Sequence, residues 1–226
     1  MNYRALLVAP IVVAFASPAS AESARDILIG SAFTVTDKAA ALASIDRAIK
    51  AADAAIARDP ADQDAKLQRA LAISYRGKLK RNRSDVVASR KAFEAVAAAD
   101  PRNAEAQLAV GCWHLGSVIE LGGLVAGTML GAKKATGFKA LDRAVALGGN
   151  RPFIPAVAAM HRIQIDPSDV AATTRLAEAA VKGSATTQAD RVMQKYAAAL
   201  LVPLRKGNGA AAAKLAKLLL PFGRVK

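Results

Sequence analysis

Trp113, His114 and Glu120 are the side chains of this 226-residue sequence best suited to recognise a ligand. His114 and Glu120 are six residues apart, which puts them on different faces of a helix, so they form no acid–base or ligand pair. The only other soft donors are His161 and the single cysteine, Cys112, and a structural zinc site takes four ligands. Neither zinc nor iron is expected, and no cofactor is implied. Cys112 lies between Gly111 and Trp113 in an apolar run, the setting of a buried, inert thiol. There is no Gly-x-Ser-x-Gly elbow, Ser-x-x-Lys pair, His-Glu-x-x-His or Walker-type phosphate loop. Gly131-Ala132-Lys133-Lys134 at a helix start could hold a single anion. Asp142, Glu178 and the other acids sit at helical spacing from bases, as solvated pairs do. No enzyme is expected.

Two further features could do chemistry of a physical kind. Gly123, Gly127 and Gly131 recur every four residues within the apolar stretch 121–132, which would bare one helix face to a close neighbour. Such an insert could dock to a partner or touch a membrane; the expected placement is a buried loop or short helix on the concave side of a helical stack. Glu120 and His114 interrupt the length a membrane-spanning helix would need. Leu108, Gly111, Trp113, His114, Glu120, Gly123, Gly127 and Gly131 are accordingly the candidate binding groove.

The other feature is charge. The formal net charge is +14, far more than solubility requires. Arg76, Lys78, Lys80, Arg81, Arg83, Lys133, Lys134 and Lys139 form the candidate anion-facing surface, and a third basic group runs from Arg205 to Lys226. An excess of this size points to lipid head groups, envelope polysaccharide or an acidic protein.

The address comes from the start of the chain. Met1 to Arg4 is a short basic region, Ala5 to Phe15 is unbroken and apolar, and Ala19-Ser20-Ala21 is a small-x-small cleavage site. The apolar run has eleven residues, whereas a bilayer span needs about 20. A signal peptide cleaved after Ala21 is expected, leaving 205 residues starting at Glu22, with a net charge of +13, in the periplasm. Nucleic acid is excluded by the export signal, and no transmembrane segment is expected after cleavage.

The elements that must position these residues are helices. Alanine dominates, and alanine has the lowest helical cost of any residue. After a weakly patterned lead-in, 22–37, helical spacing places Leu42, Ile45, Ile49 and Ile56 on one face up to Asp59-Pro60. A second helix carries Leu67, Leu71, Tyr75 and Leu79. A third follows Ser84 as its expected cap, with Val86, Phe93 and either Val96 or Ala97 inward. Asp100-Pro101-Arg102-Asn103 repeats the corner Asp59-Pro60-Ala61-Asp62 and opens helices over 104–121 and 133–147. Asp166-Pro167-Ser168-Asp169 is a third such corner, between helices at 152–165 and after Asp169. Helices at 187–206 and 210–220 complete the chain.

Read back from Pro60, Ala48 and Ala55 stand at the small positions of a second helix; read back from Pro101, Phe93 stands at the bulky one, and Gly111 at the glycine position of the next first helix. In these positions the chain resembles the tetratricopeptide repeat (TPR) superfamily, whose units are antiparallel helix pairs of about 34 residues. Pro60 and Pro101 are 41 residues apart, so the middle unit is expected to carry an insertion at its basic turn. The first-helix tryptophan and tyrosine of the family are absent from their places. The resemblance covers 38–150 and implies an all-α, right-handed solenoid; 151–226 is expected to hold degenerate repeats and a C-terminal capping helix. The function expected is an exported, non-catalytic scaffold for a protein partner. The alternatives are a carrier holding a small amphipathic ligand near the glycine-rich insert, and a basic peripheral protein bound to anionic lipid or polysaccharide.

Overall fold

Polar residues at helix starts and aspartate–proline corners set the path of the chain. The computed structural model describes residues 22–226, so the expected signal peptide lies outside the described residues. All regular structure among the described residues is helical: α1 (Ala24–Ala32), α2 (Lys38–Arg58), α3 (Gln63–Lys80), α4 (Arg83–Ala99), α5 (Ala104–Leu121), α6 (Gly123–Leu130), α7 (Lys134–Leu147), α8 (Phe153–Ile165), α9 (Val170–Lys182), α10 (Gln188–Arg205) and α11 (Gly209–Leu219). Ser23, Asp37, Asp62, Asn82, Asn103, Thr187 and Asn208 each accept a first-turn backbone N–H. Such a cap is worth about 1 kcal/mol. No helix among the described residues is long and apolar enough to cross a membrane.

The three corners share one geometry. Asp59, Asp100 and Asp166 close α2, α4 and α8 with φ/ψ of −136/97°, −134/92° and −143/97°. In each, the carboxylate accepts the N–H two residues on, at 2.9, 3.0 and 2.9 Å. The carbonyl accepts the N–H three residues on, at 3.1, 3.1 and 3.0 Å. Proline between them has no N–H to satisfy and carries the φ that the turn needs.

Short links fold consecutive helices back on one another, so α2, α3 and α4 pack as neighbours and α5 pairs with α7. The α5–α7 approach is set by glycine. A Cβ on Gly111 would lie 2.6 Å from Leu141 Cδ2, and one on Gly137 would lie 2.6 Å from Leu115 Cδ2. Beyond α7 the packing changes character. Nine of the thirteen residues of α8 are buried, and it is enclosed by α5, α7, α9, α10 and α11. The last residues then return to the first helix: Phe222 donates its N–H to Ala32 O at 2.7 Å, and Lys226 to Thr36 O at 3.1 Å. The Phe222 ring meets Tyr75 edge-on at 5.1 Å.

Several expectations need correction. The lead-in is a helix, α1, which runs through Gly30 because Ile27, Leu28 and Ala32 bury one face. Asn82, not Ser84, caps α4, since its side chain reaches the N–H groups of Ser84 and Asp85. The basic turn holds no insertion. The extra length of the middle unit lies in α3 and α4, of 18 and 17 residues, joined through Arg81 in the left-handed region at φ 53°. The glycine-rich passage is a short helix, α6, one of the two expected forms, but Gly123 and Gly127 make no close helix contact, and Gly131 meets only the Arg90 guanidinium. A Cβ on Gly123 would meet nothing within 4 Å, one on Gly127 only Ala132 O at 3.7 Å, and Gly131 ends the helix at φ 69°. α6 is also not buried in a concave face: Ala126 is its only buried residue.

Candidate functional site

The residues expected to line a groove are separated by α5, because they fall on different sides of it. Leu108 belongs to the core around α8, and Gly111 is closed off by α7. Trp113 lies in the core shared with α3 and α4, 5% exposed. Its indole N–H donates to Val86 O at 2.8 Å, and the Arg90 guanidinium stands 5.4 Å from the ring centroid. His114 is buried, edge-on to Trp113 at 5.1 Å. Lys133 N–H donates to its Nδ1 at 3.2 Å, and burial holds its pKa below the usual value, so the ring is neutral. Glu120 is on the surface, bridged to Lys78 at 3.1 Å. These side chains do not converge on one ligand.

A different set shares a register. Counting nine residues from the caps Asp62, Asn103, Pro152 and Thr187 gives Leu71, Cys112, His161 and Tyr196. Cys112 Sγ lies 3.7 Å from His161 Nδ1, joining α5 to α8. Tyr196 meets Phe33 edge-on at 6.0 Å, which ties the seam to the chain after α1. One turn further along α5, Gly116 has nothing within 4 Å of a built Cβ, and beyond it the Lys78–Glu120 bridge closes the seam against α3. Gly116 therefore borders open space beside this register. The register could have been found by aligning the helix starts, but no two of these residues share a type.

The Cys112–His161 pair is not a nucleophile and base. Burial pushes the thiol up to about 12 and holds the imidazole down to about 4, so both are neutral at physiological pH. His161 Nδ1 also lies 3.0 Å from Val157 O; the ring N–H therefore points at that carbonyl and leaves this nitrogen no lone pair for the thiol proton.

Along one edge of the same helices runs a chain of alternating charges. Asp64 pairs with Arg25, Arg25 with Glu105 at 2.8 Å, Glu105 with Arg151 at 2.7 Å, and Arg151 with buried Asp190 at 3.4 Å. It ties α3, α1, α5, the entry to α8 and α10 together.

The basic surface divides into bases with internal roles and bases without them. Arg76 forms a two-point contact with Asp85 at 2.8 and 2.9 Å, which holds that carboxyl below its usual range. Lys78 is bridged to Glu120, and Arg83 donates to Met129 O at 2.7 Å. Lys80, Arg81, Lys133, Lys134 and Lys139 are exposed and form no ion pair among the described residues. The acids are used differently. Eleven of the eighteen carboxylates are in ion pairs, and Asp37, Asp59, Asp62, Asp100 and Asp166 hold caps or corners. The fold occupies its anions and leaves most of its cations facing water.

Comparison with family models, with curated proteins and with solved structures finds no match to this chain.

Proposed function

We propose that this chain is an exported, non-catalytic scaffold of TPR-like helix pairs that holds a segment of a protein partner along the face of α3, α5 and α8. The observation that carries the reading is the shared register of Leu71, Cys112, His161 and Tyr196, with the open space at Gly116 one turn further along α5. Helices held in register by corners, glycines and the charge chain are ordered before a partner arrives, so binding does not have to order them. The neutral Cys112–His161 pair fits recognition better than catalysis. The unpaired bases fit a partner with an acidic contact surface. The carrier alternative gains no support from Trp113, whose N–H and ring face are already engaged.

The test is Gly116→Trp. A built Cβ there meets nothing, so the substitution grows into open space at its first atom. A protein captured from an envelope extract by the wild type, then purified and titrated, should lose at least about tenfold in affinity for the variant, a loss of about 1.4 kcal/mol. Helical content and Tm should stay unchanged. Equal affinity for both chains would sink the reading.

The second reading, attachment to an anionic envelope surface, is favoured by a separate observation: the apolar outer face of α6 and the bases around it.

A further inference from the structure

Six large apolar side chains stand out as exposed among the described residues, and four of them belong to one short stretch. They are Leu121 at 44%, Leu124 at 82%, Val125 at 41% and Met129 at 52%; Val202 and Leu218 lie elsewhere. Residues 121–132 carry no charge. A contiguous exposed apolar patch on an otherwise charged protein marks an interaction surface.

α6 is held firmly from beneath. Ala126 is fully buried in the core of α3, α4 and α5. Arg83 donates to Met129 O at 2.7 Å and Arg90 to Leu130 O at 2.8 Å, so two arginines of α4 bind the carbonyls at the end of α6. The Thr128 hydroxyl is turned back to Leu124 O at 3.0 Å. The outer face thus offers apolar surface and no directional polar group.

Its surroundings are basic. Lys80 and Arg81 sit in the corner between Lys78, which bridges to Glu120 just before α6, and Arg83, which binds its far end. Lys133 and Lys134 follow its C-terminal Gly131 after one residue, Ala132. The nearest acid in sequence, Glu120, is already paired.

We propose that α6 is a bilayer-contacting element: Leu121, Leu124, Val125 and Met129 enter the head-group region of an anionic lipid surface while Lys80, Arg81, Lys133 and Lys134 meet its phosphates. An apolar face ringed by cations is the charge and polarity pattern of interfacial helices. A second copy of this chain would bring the same cations against themselves, and polysaccharide would leave the apolar face in water. The inference rests on the second reading above, which it deepens, and stands apart from the scaffold one, whose test substitutes a residue of α5 and none of α6.

The experiment is co-sedimentation of the purified chain with vesicles of phosphatidylcholine containing about a third phosphatidylglycerol, set against phosphatidylcholine alone. Binding to the anionic vesicles should exceed that to neutral ones at least about tenfold and weaken with added salt. The double variant Leu124→Glu, Met129→Glu should lose at least about tenfold of it with unchanged circular dichroism, because both side chains already face water. Val202→Glu, at an equally exposed site on α10, should bind as the wild type does. Three results would overturn the proposal: no binding to anionic vesicles; equal binding by the double variant; or lipid binding intact while that variant loses self-association or a protein partner.

Discussion

At Asp59, Asp100 and Asp166 nearly the same φ and ψ and the same hydrogen bonds turn one helix onto the next, α2 onto α3, α4 onto α5 and α8 onto α9, yet the third corner leads out of the centre of the molecule and the first two do not. The corner is a local device, so it cannot by itself decide what it joins. The helix that enters it decides. α2 and α4 bury single stripes, Ala41, Ile45, Ala48 and Ala52 in one and Ser89, Phe93 and Val96 in the other, and stay at the side of the array. α8 reads Phe-Ile-Pro-Ala-Val-Ala-Ala-Met-His before its first charge and is apolar all round, so it becomes the centre that five helices surround.

The sharpest way to break this difference is at Gly209. The third corner is pressed against the start of α11: a Cβ on Gly209 would lie 1.7 Å from Pro167 O and 2.8 Å from Pro167 C. Both are backbone atoms, which cannot move aside as a flexible side chain would. Gly209→Ala should cost about 3 kcal/mol or more, read by urea unfolding. Gly30→Ala in α1, where a Cβ meets nothing, should instead stabilise by about 0.5–1 kcal/mol, since alanine is the better helix former. If both substitutions were equally harmless, the third corner would not be packed as described.

The sequence was most legible where local chemistry decides. Asp59, Asp100 and Asp166 stop helices because the residue before proline leaves the α region, and the all-α class follows from alanine with helical spacing. It was least legible where a distant surface decides. α1 has only the run Ile27, Leu28, Ile29 as a strong signal, and its burial depends on α2, on α3 and on Phe222, from the other end of the chain. The glycines of 121–132 have the spacing of a helix-packing stripe, but Gly131 is needed to end α6 at φ 69°, and Gly123 and Gly127 touch no neighbouring helix. The groove residues were chosen for their type. Helix phase then sent Leu108, Trp113 and Glu120 to three different neighbours.

Acid should loosen the α8 half first. His161 is buried and held down to about 4 by desolvation, against a usual value of 6.5, with Lys78 adding repulsion. The unfolded chain therefore binds a proton that the folded one refuses, and stability falls as pH drops from above 6.5 towards 4. Between pH 7 and pH 5 this group should remove about 2 kcal/mol. Urea midpoints of the wild type and of His161→Gln at both pH values give the measurement. The variant should show the smaller drop, and an equal drop in both would move the acid sensitivity to other groups.

The smallest effect separates the corners themselves. Asn103 follows the second corner and caps α5, its side chain accepting Ala106 N–H at 2.9 Å. Asp169 holds the same place after the third corner, but its carboxylate goes to Arg162 at 3.0 Å and α9 begins without a side-chain cap. Asn103→Ala should therefore cost about 1 kcal/mol. Asp169→Ala removes only a partly exposed ion pair and should cost about 0.5 kcal/mol, a loss that salt would shrink further. Unfolding curves at low and high salt separate the two: a salt-independent loss at Asp169 as large as that at Asn103 would mean that it caps α9 after all, and that the two corners differ only in what they connect.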